Sequence, residues 1–187
     1  MYKLWLKKPR LNYSKNIIDI VQYGSSVIEG NSPNDIDVAV LFTKIPVKDQ
    51  LNESQNIKKQ LTKISPLPIH IKSFDLYSLF DKSNFAKEGV FFYGRSLIRQ
   101  GYFSENLGLM PKLHIFYSLD KIKKKDKIRF NYMLNGKKGK YGILRKYGGK
   151  LVKPGMIEVP PEYEKIFGDS IKKQISSFVI RKIFLLT

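Results

Sequence analysis

The chain has 187 residues, 34 Lys/Arg against 16 Asp/Glu for a formal charge of +18, and no Cys. That length allows one domain or two small ones with a real core, and the missing Cys excludes a disulfide framework, a thiolate zinc site and a thiol nucleophile. The charge calls for a polyanionic partner, nucleic acid first, while no apolar run is long enough for a membrane span or a signal core, so a cytoplasmic setting with no membrane is expected.

The first apolar run, residues 17–23, reads as a buried strand that Gly24-Ser25 ends. Residues 26–29 read as a short helical turn and 31–34 as a loop. Residues 35–42, rich in Val, Ile and Leu, form the second strand and open with Asp35-Ile36-Asp37. Helix-like spacing of Leu51, Ile57, Leu61 and Ile64 predicts a helix over 47–64, which Pro66 and Pro68 stop. Residues 69–74 follow as a third strand, with Ile69 and Ile71 on one face and His70 and Lys72 on the other. Strand–helix–strand order predicts an α/β sheet with helices packed on it. Short helices are expected over 76–80, capped by Asp75, and over 85–92.

Residues 101–111 read as a junction, dividing the chain into domains 1–103 and 104–187. The second domain is expected as a small basic α+β module in β-α-α-β-α-β order. Its strands are 113–118, 156–159 and 178–186; its helices are 121–134, 141–147 and 162–173. Ile122, Ile128, Phe130 and Met133 or Leu134 form the expected apolar stripe of the first of these helices. Charge is uneven: 15 Lys/Arg against 9 Asp/Glu in 1–103 (+6), and 19 against 7 in 104–187 (+12).

Side chains at i and i+2 of a strand share a face, so Asp35 and Asp37 project together toward the Gly-Ser turn. Two carboxylates that close repel unless a cation sits between them. Mg²⁺ is the usual one, because it takes oxygen ligands and carries substrate phosphates. This pattern of strand, Gly24-Ser25, short turn and Asp35-x-Asp37 on the next strand resembles the nucleotidyltransferase superfamily that includes DNA polymerase beta, CCA-adding enzymes and the minimal nucleotidyltransferases. The likeness spans about residues 16–103. The segment 86–94 adds to it, resembling the helix and short closing strand of the small family members. The resemblance implies a mixed sheet with flanking helices, two Mg²⁺ held by Asp35 and Asp37, and Gly24 and Ser25 on the phosphates of an NTP.

The family usually adds a third carboxylate on a neighbouring strand. Its slot falls in residues 68–72, where alternation offers His70 instead. An imidazole there serves as base or metal ligand near neutral pH, or is a hydrogen-bonded strand residue with no chemistry. Glu29 and Glu88 are the acids that could substitute in space, and His114 reads as a satisfied residue without a role.

Lys121, Lys123, Lys124, Lys125, Lys127 and Arg129 crowd one helix start, and Lys137, Lys138, Lys140, Arg145 and Lys146 follow around glycines. Tyr132, Tyr141 and Tyr147 are interleaved. Basic side chains attract phosphate and Tyr stacks on unpaired bases, which suits RNA or single-stranded DNA. A solvated basic face is the plainer alternative. Four functional expectations stand together: nucleotide transfer to RNA, transfer to a protein as in antitoxin-type members of the family, a fold with a degraded site that only binds nucleic acid, and a partner-binding subunit whose missing ligand comes in trans.

Overall fold

The structure, a computed structural model, describes residue 6 and residues 9–120, 122–137 and 139–187. It is a mixed α/β protein with helices flanking its sheets. Two compact units are present: Met1–Val27 with Asn31–Gly108, and Ile28–Gly30 with Leu109–Thr187. The junction lies five residues beyond the position read from sequence, because Phe103 is buried in the first unit's core and holds the turn Phe103–Leu107 there. Among the described residues no helix is long and apolar enough to cross a membrane.

The first unit runs β1 (Ile17–Tyr23), a 3-10 turn (Gly24–Val27), β2 (Ile36–Phe42), α1 (Val47–Thr62) and β3 (Ile69–Asp75). Then come α2 (Leu76–Phe80), α3 (Ala86–Glu88) running into a π turn (Gly89–Tyr93), and β4 (Arg95–Ser96). The sheet order is β3-β2-β1-β4. β1 is antiparallel to β2 and β4, whereas β2 and β3 are parallel, with α1 as the crossover that parallel strands require.

Both faces of β2 are covered from Val38 onward, which is why its sequence is apolar beyond Asp37. Ile36, Val38, Val40 and Phe42 pack with Ile57 and Leu61 of α1. Ala39 and Leu41 pack on the opposite side with Val21, Leu79, Val90 and Phe103. The buried stripe of α1 is Gln50, Ser54, Ile57 and Leu61. Leu51 and Ile64, expected inward, are exposed. The polar members can face the sheet because each is satisfied: Ser54 Oγ lies 2.7 Å from Ser73 Oγ, and Gln50 Nε2 donates to the Ile45 carbonyl. Asp75 caps α2 as expected, accepting from the Ser78 N–H at 2.7 Å.

One buried acid was not singled out from sequence. Asp19 in β1 is 1% exposed. Its Oδ1 accepts from Ser96 Oγ and the Ile20 N–H, and its Oδ2 from Asn106 Nδ2, so it ties β4 and the following turn to β1. Burial pushes its carboxyl up, while the Ser96 and Ile20 bonds and the Arg99 charge pull partly back.

The second unit contains β5 (Leu109–Tyr117), α4 (Lys124–Asn135), the hairpin β6 (Gly136–Lys137) and β7 (Lys140–Tyr141), and α5 (Ile143–Lys146). It continues with β8 (Lys150–Lys153), β9 (Met156–Val159), a turn (Pro161–Tyr163), α6 (Glu164–Lys172) and β10 (Phe178–Leu186). Its sheet is antiparallel in order β10-β5-β9-β8. Leu113, Ile115, Phe130, Leu134, Ile157, Phe167 and Ile171 are fully buried. In α4 only Phe130 and Leu134, four residues apart on one face, are buried. Ile128 is exposed, since it lies two positions, more than half a turn, from Phe130. The stretch 141–147 is not one helix: Tyr141 belongs to the hairpin and only Ile143–Lys146 is helical. β8 escaped the sequence because all four of its residues are exposed and carry no alternation.

Candidate metal centre

The register of the first sheet decides where the chemistry gathers. Asp37 pairs with Tyr23 of β1 on one side and with His70 of β3 on the other. Since Ile36 and Val38 face α1, alternation sends the Asp37 side chain to the opposite face, at the sheet end where β1 finishes and β2 and β3 begin. Asp35 lies just before β2. Its Oδ2 is 3.1 Å from His70 Nδ1.

Asp35, Asp37 and His70 form one group that can hold a metal ion, with a ligand atom from each within 4.8 Å of the others. It is the one such group among the described residues. Burial pushes the Asp37 carboxyl up and the Asp35 charge pushes it further, against the opposing pull of His70 and Lys72. Burial, and then the Asp37 charge, push the Tyr23 phenol up to about 12, so that ring stays neutral.

Gly24 completes the end of the sheet. Its φ is +76°, and a Cβ built there would meet Asp37 Oδ2 at 2.6 Å. Only glycine takes this conformation and this approach without strain. Of the two serines that follow, Ser26 is buried and structural, with Gln22 Nε2 donating to its Oγ and its own hydroxyl donating to the Tyr23 carbonyl. Ser25 is exposed, leaving its side chain open to solvent beside the turn.

Two carboxylates, an imidazole and a side-chain-free approach fit a divalent cation. The structure thus brings together Asp35, Asp37 and His70, with Gly24 against them. Glu29 and Glu88 are outside the group. Glu29 belongs to the second unit, where its N–H donates to the Glu162 carbonyl. Lys72, whose charge acts on Asp37, was not read as part of the site. The signal was present, because Lys72 lies two residues from His70 on the same strand face.

In the second unit Lys123, Lys124 and Lys125 are exposed around the start of α4, and Lys127 is half-buried. Lys137 and Lys140 are exposed on the hairpin and Arg145 on α5. Lys121 and Lys138 lie outside the described residues. All three tyrosines carry basic partners: the Lys146 ammonium sits 5.1 Å from the Tyr147 ring centroid, and on the other two rings the Arg145 guanidinium sits 4.0 Å from the Tyr141 centroid and the Lys137 ammonium 5.4 Å from that of Tyr132. The Tyr141 and Tyr132 rings are largely exposed. Tyr147 leaves the set of stacking candidates, because it packs on Tyr163 and Phe167 at ring distances of 5.0 and 6.3 Å.

His114 has a structural partner, as expected: its Nε2 is 3.1 Å from Glu158 Oε2, while Lys150 Nζ is 3.1 Å from Glu158 Oε1.

No protein-family model matches the chain, and no curated protein and no solved structure matches it.

Proposed function

We propose that the first unit is a metal-dependent nucleotidyltransferase domain that moves a nucleotide from an NTP to an acceptor, and that the acceptor is RNA. One observation carries the reading: Asp35, Asp37 and His70 converge at one sheet end, beside a left-handed Gly24 turn that leaves room at the carboxylates. The Gly24-Ser25 and Asp35-x-Asp37 motifs, built from the same residues, carry the family resemblance.

In the proposed reaction an acceptor hydroxyl oxygen bonds to the α-phosphorus and loses its proton. The bond to the β-phosphate oxygen breaks, and pyrophosphate leaves. Divalent ions, two Mg²⁺ by the family resemblance, would neutralise the triphosphate and ease loss of the hydroxyl proton. Asp35 and Asp37 hold that charge in place. The Gly24 backbone admits a phosphate closely, Ser25 donates its hydroxyl to a phosphate oxygen, and Lys72 adds a positive charge beside the carboxylates. The exposed Lys and Arg of α4, the hairpin and α5, with Tyr132 and Tyr141, would bind the acceptor.

A second reading draws on a specific observation. The position where the family keeps a third carboxylate holds His70, which would suit a site that has lost chemistry while the basic unit still binds nucleic acid.

Incubating each labelled NTP with Mg²⁺ or Mn²⁺ and total RNA separates the two readings. Label on RNA with the wild type, and none with the Asp35→Ala, Asp37→Ala double variant, is the expected result. Label on protein instead would replace the acceptor. No label with any NTP, alongside equal salt-sensitive RNA binding by both proteins, would favour the binding module.

A further inference from the structure

We infer that His70 makes this centre selective for Mn²⁺ over Mg²⁺, an inference resting on the reading of Asp35, Asp37 and His70 as a metal site. The position of the imidazole is dictated by the fold. β2 and β3 run parallel with Ile36 opposite Ile69, Asp37 opposite His70 and Val38 opposite Ile71. Ile36, Val38 and Ile69 are buried and Ile71 is packed against the same cluster. A slip of one residue would turn Ile69 and Ile71 out and His70 in, so the apolar face locks the imidazole beside Asp37. The ring itself is not gripped, being 61% exposed, and its Nδ1 already lies 3.1 Å from Asp35 Oδ2. One ring nitrogen lies within 4.8 Å of a carboxylate oxygen of both Asp35 and Asp37.

The donor set then decides the metal. Mg²⁺ demands oxygen ligands in near-ideal octahedral geometry and gives up its waters reluctantly, so an imidazole nitrogen is a poor replacement for a carboxylate. Mn²⁺ also suits carboxylate and water, yet as a transition-metal ion it accepts an imidazole nitrogen. Two carboxylates keep the site hard, and the one nitrogen moves it away from Mg²⁺. Zn²⁺ and Cu²⁺ bind a given nitrogen–oxygen site more tightly than Mn²⁺, so the preference argued is between Mn²⁺ and Mg²⁺.

The test uses the full chain, stripped of metal, and measures Mn²⁺ binding by electron paramagnetic resonance with Mg²⁺ as competitor. Each titration is run alone and with a non-hydrolysable NTP analogue. Wild type, His70→Asp and the Asp35→Asn, Asp37→Asn pair are compared, with circular dichroism to confirm folding. Wild type should prefer Mn²⁺, and His70→Asp should narrow that ratio by about tenfold or more, the size typical of a changed metal environment. Pulsed spectra of bound Mn²⁺ should show nitrogen modulation from a coordinated imidazole in wild type and none in His70→Asp. An unchanged ratio, or bound Mn²⁺ without nitrogen modulation, overturns the role of His70 and leaves the carboxylate site standing. Failure of wild type to bind either ion better than the Asp35→Asn, Asp37→Asn pair overturns the metal site itself.

Discussion

Gly24 and Asp37 occupy a single space: a Cβ on the glycine would come within 2.6 Å of the carboxylate Oδ2. The turn backbone and the acid must therefore be considered as one unit. A side chain at position 24 would have to displace the Asp37 carboxylate.

Gly24→Ala should lower stability and disturb the site together. A left-handed conformation costs an L-residue about 1–2 kcal/mol, before the displacement of Asp37 is counted. Urea unfolding at neutral pH measures the first effect, and metal titration the second. A variant with wild-type stability and wild-type metal affinity would show that the turn and the acid are independent.

Asp37→Asn should separate stability from metal binding. The carboxyl is disfavoured in its charged form by burial and by Asp35. Without metal, the amide variant should melt at or above the wild-type temperature. With metal at 100 times its dissociation constant the wild type should gain about 2.7 kcal/mol, and the variant should gain nothing. Thermal unfolding with and without MnCl₂ checks both halves. A destabilised variant that still responds to metal would contradict them.

Glu158 should make the second unit acid-sensitive. Burial pushes its carboxyl up, but hydrogen bonds from His114 and Lys150 and the charges of Lys150 and Lys112 outweigh that and hold it below the ordinary value. The stabilisation from the charged form is thus complete above the unfolded value, near 4.3, and is lost as pH falls through the folded one. Glu158→Gln should cost about 1.5–3 kcal/mol at neutral pH, the range for hydrogen bonds to a charged group. The gap to wild type should shrink in denaturant titrations carried below pH 4.3. A gap that stays constant with pH would remove the carboxylate charge from the account.

The exposed lysines of the second unit should set the salt dependence of nucleic-acid binding. Replacing Lys124, Lys125, Lys137 and Lys140 with Ala should weaken single-stranded RNA binding across sequences. The slope of log affinity against log salt should fall by about 0.7 for each phosphate that is no longer neutralised. Fluorescence anisotropy at several salt concentrations reads this. The Asp35→Ala, Asp37→Ala protein should keep the wild-type slope. Unchanged RNA binding by the lysine variant would leave those residues as a solvated face.

Much of the fold is legible locally. The bounds of β1, β9 and β10 follow from apolar runs closed by turn residues, and the Asp75 cap from an acid before a short apolar helix. Period and punctuation are short-range properties, so a window of sequence contains them. The inward face of α1 is not legible in this way. Gln50 and Ser54 face the sheet only because Ile45 and Ser73 lie where they can satisfy them. The same holds for Asp19, an acid inside an apolar strand that is tolerated because Ser96, far along the chain, donates to it. Tyr147 likewise reads as a stacking platform until Tyr163 and Phe167 cover it.

The order of residues is enough to single out candidates: Gly24, Ser25, Asp35, Asp37 and His70 by type and alternation, and a strongly basic second half by composition. Three-dimensional packing was needed to establish that His70 meets Asp35 while Glu29 and Glu88 stay out of the group. The reason is physical. Alternation assigns a side chain to a face, but distance between strands depends on register. Register is chosen by the burial of Ile36, Val38 and Ile69, which lie on the opposite face from the chemistry they align.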